Sequence, residues 1–394
     1  MNRIKIKISG FLNIAVIFLV VGYFAFGNIP LLKYSSQLLF LGVAVIALLQ
    51  FPKIKKNYYL LWALIFFAYC LFSVIWAVNK DSTLAYSASV FQVILFSILI
   101  VVLHDNSFIK TETIENSIVI AGIIMVIIIL LNTPISTLGS ERFGERVGMH
   151  PNTVSNNLLF AEVFSFNIFM KNRRTKKGNL FIAAAVFFLI FNFCTASKKG
   201  LLIGVAIPIY IYMLYDRELS KKMKNFLLLC LAIVLFIVIL SHYSEVTSEM
   251  LRRFNMFTEL LSGSSSEDMS TVGRILLYKG AWKVFCDNPI IGVGLDGFRY
   301  VNTGSMAGYY AHCNYLELLA DLGCVGCFIY YSIYAMIYAK IRYRIKKGNR
   351  QCIALQGILI AVLLLDIAQV NYYNEITYVV TAYLYIASSQ KQKL

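Results

Sequence analysis

Charge is scarce in this sequence. Charged residues make up 14% of its 394 positions and hydrophobic residues 59%, and mean hydropathy is +0.71. That balance excludes an ordinary soluble domain and suits a bundle of bilayer-crossing helices, each apolar over about 20 residues. Histidine occurs only four times. Several catalytic signatures are missing altogether: there is no Walker motif, GxSxG, HExxH or dinucleotide fingerprint. Nor is there an external DxD pair of the kind metal-dependent sugar transferases use. Whatever chemistry the chain performs is therefore expected to need neither metal nor cofactor. The eight cysteines fall mostly inside apolar runs, where Cys acts as a small hydrophobe. Cys324 and Cys327 form a CxxC, but with no second pair or spaced histidine they read as packing.

What is present is positive charge, a net +16, in short clusters between apolar runs. The clusters are Lys53, Lys55 and Lys56; Lys171, Arg173, Arg174, Lys176 and Lys177; Lys221, Lys222 and Lys224; and Arg342, Arg344, Lys346 and Lys347. Such placement marks the cytoplasmic side of a membrane protein rather than a nucleic-acid face. Apolar stretches lie at 11–27, 35–51, 58–77, 84–103, 117–132, 153–170, 179–195, 199–215, 225–242, 315–339, 352–370 and 372–388. Their length and their Leu, Ile and Phe content predict helices. The expected fold is an all-α polytopic integral membrane protein of about 12 transmembrane helices. With the N-terminus inside, cytoplasmic segments collect 24 of the 36 Lys and Arg, and both termini come out cytoplasmic. "MNRIKIK" before the first span reads as the start of an uncleaved anchor.

This pattern divides the chain into nine helices over 1–242, a large external loop over 243–311, and three helices over 312–394. The other connections are far shorter, and loops this long are functional or disordered. Helical spacing in "VGRILLYKGAWKVF" and the turn "DNPIIGVGLDGF" predict that much of the loop is ordered. "SGSSSED", 262–268, is the polar exception.

Four external features carry the candidate chemistry. They are "ERFGERVGMHPN" (141–152), the tight turn "TASKKG" (195–200), Arg274 at the head of a helix bearing Lys279, Trp282 and Lys283, and "AHCNYLELLADLG" (311–323). Arg142, Arg146, Lys198, Lys199 and Arg274 are cations close to a membrane boundary and suit an anionic headgroup or a diphosphate. Contact with lipid phosphates is the plainer alternative. The large loop, with six basic and seven acidic residues, is not basic overall, so general attraction is not its purpose. Asn314, with Glu317 three residues on, fits a helix N-cap and capping box. His312 would then stand at the positive end of a helix dipole, which keeps imidazole neutral and able to accept a proton. A surface role is the plainer reading for this histidine and for His150. Cys313 is expected to react with external thiol reagents.

"GRILLYKGAWKVFCDNPIIGVGLDGF" followed by "AHCNYLELLADLGCVG", residues 273–326, resembles the O-antigen ligase and polymerase superfamily. "RFGERVGMHPN" resembles that family's RxxGxxxxPN element, and "TASKKG" its TxSRxG turn, with lysine in place of arginine. The resemblance implies a membrane glycosyltransferase whose donor is a glycan on undecaprenyl diphosphate at the outer leaflet. An acceptor glycan's hydroxyl would attack the anomeric carbon with inversion. It further implies that His312 activates or orients the acceptor and that Arg274 with Arg142 or Arg146 grips the diphosphate. Lys199 or Lys198 would stand in for the turn's arginine, a change that weakens bidentate phosphate binding. Asn314 would contact substrate or only cap its helix. Besides the bilayer, the partners implied include a chain-length regulator protein.

A polymerase of surface-polysaccharide repeat units, O-antigen or capsule, is favoured over an O-antigen ligase acting on lipid A core because such polymerases are numerous. A transporter or flippase for the same lipid-linked glycan is the rival from another class. It would need ionisable groups along a midplane path, where Glu162 and Asp366 are the main carboxylates. A non-catalytic envelope scaffold would not require the external cations.

Overall fold

The computed structural model describes residues 3–51, 57–134, 141–215, 269–303 and 305–390. Among them the regular elements are all helices: α1 (Arg3–Ala25), α2 (Pro30–Gln50), α3 (Tyr58–Phe72), α4 (Lys80–Asp105), α5 (Thr111–Asn132), α6 (Pro151–Lys171), α7 (Lys176–Cys194), α8 (Lys198–Tyr215), α9 (Met269–Asp287), α10 (Phe298–Val301), α11 (Asn314–Lys346), α12 (Cys352–Leu365) and α13 (Glu375–Ser389). Local chemistry fixes many of the starts. Asn57, Asn79, Thr175 and Asn374 each accept a backbone N–H of the following turn, and Pro30 and Pro151 occupy first helical positions.

Eleven of the twelve expected spans coincide with a described helix; the twelfth, 225–242, lies outside the described residues, as does 243–268 of the large loop. Eight helices are long and apolar enough to cross a membrane on those grounds alone: α1 to α5, α7, α8 and α11. The protein is therefore a multi-pass membrane protein. Of the other three, α12 and α13 are shorter, while α6 is long but carries Asn156, Asn157, Glu162 and Asn167. Packing explains how the bundle holds them. Every residue of α6 from Val154 to Ile168 is buried, and so is every residue of α13 from Ile376 to Ser388. The α6 helix lies against α5, α7, α8 and α12, so lipid does not meet its polar groups. Glu115 and Lys171 pair at one end of this core, with Tyr383 and Asn167 on the same carboxylate.

Helix α11 is broken near its start. Gly323 has φ 65° and ψ −169°, a conformation essentially reserved for glycine. The break frees backbone groups, and neighbours satisfy them. The carbonyls of Ala320 and Asp321 accept the N–H of Val293 (3.1 Å) and Gly294 (2.8 Å), and that of Leu322 accepts the Tyr69 hydroxyl (3.1 Å). Beyond the break, Cys324 and Val325 donate to the carbonyls of Pro289 (2.8 Å) and Ile290 (3.2 Å). The "NPIIGVG" turn is thus docked on the broken helix, and α9, which leads into that turn, packs along α11. Asp321 extends the join by accepting the N–H of Asp296 (2.9 Å) and Phe298 (2.8 Å).

The bundle has two chemically different ends. One carries basic side chains tied to helix termini: Arg344 donates to the Ala387 carbonyl (2.6 Å), Arg350 to that of Tyr215 (2.7 Å), and Arg173 lies over the Tyr212 and Tyr215 rings. The opposite end gathers the starts of α6, α8 and α11 and the turn between α12 and α13.

Candidate active site

The loop before α6 and the turn before α8 are stapled together. Phe143, buried, donates its N–H to the Cys194 carbonyl (3.1 Å), and Arg142 donates Nε to the Thr195 carbonyl (3.0 Å) and Nη2 to Asn152 Oδ1 (3.2 Å). The turn closes through Ala196, at φ 53°, and Thr195, whose hydroxyl donates to the Asn192 carbonyl (2.6 Å). Lys198 and Lys199 open α8 directly after it. A Cβ on Gly200 would stand 1.9 Å from Ser155 Oγ, so this glycine lets the first turn of α8 press against α6.

Lys199 Nζ donates to Gln369 Oε1 (2.8 Å), an oxygen that also accepts from Asn156 Nδ2. The Gln369 carbonyl takes the N–H of Asn314 (3.1 Å). One residue between α12 and α13 therefore ties together α6 and α8 through its side chain and the start of α11 through its backbone. Sequence reasoning missed it; the only signal was a polar residue near the end of an apolar run that also holds Gln356 and Asp366.

His312 has φ 54°, a left-handed conformation that costs a non-glycine residue energy and persists only where surroundings enforce it. Ala311 and Cys313 on either side are buried, and the Tyr310 ring lies against the imidazole at 4.0 Å between centroids. Burial pushes the His312 imidazole down to about 4, and Arg274, Lys199 and His150 push in the same direction. His150 sits at the N-cap of α6, with Nδ1 accepting the Asn152 N–H (3.3 Å). Its pKa is lowered too, first by burial and then by Arg142, Lys199 and Arg274, against the opposing pull of Glu145. Burial and the neighbouring basic side chains thus favour the neutral form of both rings.

The structure thus brings together His312, His150, Arg274, Lys199 and Arg142, drawn from all four features singled out in the sequence. Arg146 stands apart, exposed and ion-paired with Glu141 (3.3 Å). Asn314 does not cap its helix. Cys313 occupies the N-cap position, and Asn314, the first helical residue, is fully buried. Its amide donates to Tyr331 (2.9 Å) and Asp366 (3.3 Å), and its carbonyl oxygen accepts the N–H of Asn371 (2.8 Å) and Tyr372 (3.0 Å). Glu317 reaches back to the Ala311 N–H, which fixes the backbone just before His312. The predicted capping box fails because Asn314 is more useful as a clamp on the following turn.

Three helix starts converge here, adding positive dipole ends to the cations. Among the described residues no group of three His, Cys, Asp or Glu side chains is arranged to hold a metal ion. The arrangement can bind a multiply charged anion and set a neutral imidazole beside it.

Residues 183–331 match the family model described as O-antigen ligase. The match covers 149 of the 394 residues. The matched stretch runs from α7 into α11 and includes Lys198, Lys199, Arg274, His312 and Asn314, while Arg142, His150 and Gln369 come from outside it. The match supports the O-antigen ligase and polymerase superfamily that the sequence motifs suggested, and does not separate ligase from polymerase. No curated protein sequence matches the chain.

Proposed function

We propose that this protein is a metal-independent, inverting glycosyltransferase that polymerises oligosaccharide repeat units carried on undecaprenyl diphosphate. The observation that carries this reading is the neutral His312 imidazole placed among Arg274, Lys199 and His150. In the reaction the acceptor hydroxyl attacks the anomeric carbon of the donor glycan. The new C–O bond forms as the bond to the diphosphate breaks, and the diphosphate leaves with the electron pair. Arg274, Arg142 and Lys199 stabilise the charge it gains, as pre-placed cations do for other anionic transition states. His312 takes the hydroxyl proton and passes it to water. Asn314 holds the backbone around His312 rather than the glycan, and Lys198 and Arg146 lie at the margin of the site.

In this reading the site end faces the outside of the cytoplasmic membrane and the basic end the cytosol, with both termini inside, which the distribution of Lys and Arg supports. A chain-length regulator is the protein partner this reading expects. The second reading, transfer of a finished glycan to lipid A core by a ligase, is favoured by the description of the matching family model.

The test is glycan transfer by purified protein from a lipid-linked repeat unit, with His312→Ala as the comparison. The substitution should lower the rate by about 10²–10⁴-fold, the usual contribution of a general base. Products lengthening on the lipid carrier identify a polymerase, and products appearing only on lipid A core identify a ligase. An His312→Ala protein as active as the parent removes the proposed base, and loss of activity with a chelator, restored by metal, removes metal independence.

A further inference from the structure

Tyr310, which lies against His312, also borders a second polar cluster that diphosphate binding does not use. Arg299 Cζ stands 5.2 Å from the Tyr86 ring centroid and 6.0 Å from that of Tyr310, and Nη2 donates to the Tyr86 hydroxyl (3.0 Å). The Tyr373 ring meets Tyr86 edge-on at 5.3 Å. Asp296 pairs with Arg299 (2.6 Å) and accepts from the Ser82 hydroxyl. Asp296 itself is buried and left-handed, at φ 61°. Tyr86, Arg299, Tyr310 and Tyr373 are all only partly buried, so the cluster opens outward.

A purely structural role explains this poorly. Burying the Asp296 carboxylate costs several kcal/mol before any attraction is recovered. The guanidinium is also incompletely used, because among the described residues its buried Nε has no hydrogen-bond acceptor. Tyrosine faces around a fixed, partly open guanidinium are instead what a sugar ring needs. Apolar C–H faces of a pyranose rest on aromatic rings, and its hydroxyls bond to a few placed polar groups. Tyr310 borders both His312 and Arg299, which sets the cluster beside the imidazole.

We propose that Tyr86, Arg299, Tyr310 and Tyr373 form the subsite for the terminal pyranose of the acceptor, with Asp296 as a positioning residue for Arg299. The role as acceptor subsite rests on the transferase reading above; sugar binding does not. The experiment uses the full-length protein in detergent and the soluble oligosaccharide freed by mild acid from the cell's own lipid-linked repeat unit. Saturation-transfer NMR should show contact between this oligosaccharide and the parent protein, and Tyr86→Leu with Tyr373→Leu should abolish it. Arg299→Lys should raise the acceptor KM at least tenfold while affinity for farnesyl diphosphate stays within twofold, a split that general misfolding does not produce. Undiminished NMR contact in the double variant, or an unchanged acceptor KM in Arg299→Lys, overturns the subsite. Equal loss of farnesyl diphosphate binding overturns it too, by making the cluster structural. Oligosaccharide binding that depends on the tyrosines, in a protein that transfers nothing, leaves the subsite standing and sinks the transferase.

Discussion

Two requirements oppose one another at His312. A neutral ring is needed to accept a proton, yet an imidazole held at about 4 is a weak base at pH 7. In the proposed reaction the bound substrate would resolve the conflict. A diphosphate among Arg274, Lys199 and Arg142 cancels much of the positive field that helps hold the ring down, so the imidazole becomes more basic when the donor arrives. The sign of the pH dependence follows. The ring is neutral above its pKa and charged below it, so kcat/KM, which reports the free enzyme, should hold from pH 7 to about 5 and fall through about 4. The acidic limb of kcat, which reports the substrate complex, should lie at higher pH. Histidine NMR titration with and without farnesyl diphosphate checks the same shift directly. A free-protein titration near the ordinary 6.5, or no upward movement with the diphosphate, discards this account. Arg274→Lys should recover only part of the activity lost in Arg274→Ala, because an ammonium lacks the guanidinium fork. The sequence singled out His312 by rarity and position and the cations by their expected external placement, and the fold sets His312, Arg274, Lys199 and Arg142 near one another. Gln369, Tyr310 and Arg299 were not legible, since one tyrosine among 25 carries no mark of its own until the fold places it.

Helix positions were legible because hydropathy in a membrane chain is close to a direct record of them, and eleven expected spans meet described helices. The break in α11 was not. "ELLADLGCVG" reads as continuous helix, and a glycine in such a run is commonly tolerated. What makes Gly323 a break is its partner turn, hundreds of atoms of context that no local pattern contains. Its consequence is testable. A Cβ at Gly323 would stand 2.3 Å from the Ile290 carbonyl oxygen and would force a side chain into glycine-only backbone space. Gly323→Ala should cost at least about 1–3 kcal/mol from the backbone conformation alone, read as a lower Tm of the detergent-purified protein. Gly10→Ala, where the added carbon meets open space, is the control and should leave Tm unchanged or slightly raised. Equal Tm values in the two variants mean that the turn does not depend on this break. Because α9 reaches the site through the same turn, the damaged variant should also lose transfer activity faster on warming than its parent.

Across the whole molecule, function depends on which face of the membrane the site occupies. A polyprenyl-diphosphate glycan in the outer leaflet is reached only if the start of α11 and the turn between α12 and α13 face outward. Cysteine chemistry can decide this, though not at Cys313. That thiol was expected to be reactive, but it is buried beside His312, whereas Cys286 on α9 is exposed. An impermeant maleimide applied to intact spheroplasts should therefore label the protein, and Cys286→Ser should remove most of that label. A cysteine placed at the opposite end by Arg174→Cys, in a background lacking Cys286, should react only after permeabilisation. Labelling of Arg174→Cys from outside, with Cys286 protected, would reverse the bundle. The cations and His312 would then face the cytosol, where an outer-leaflet donor cannot reach them.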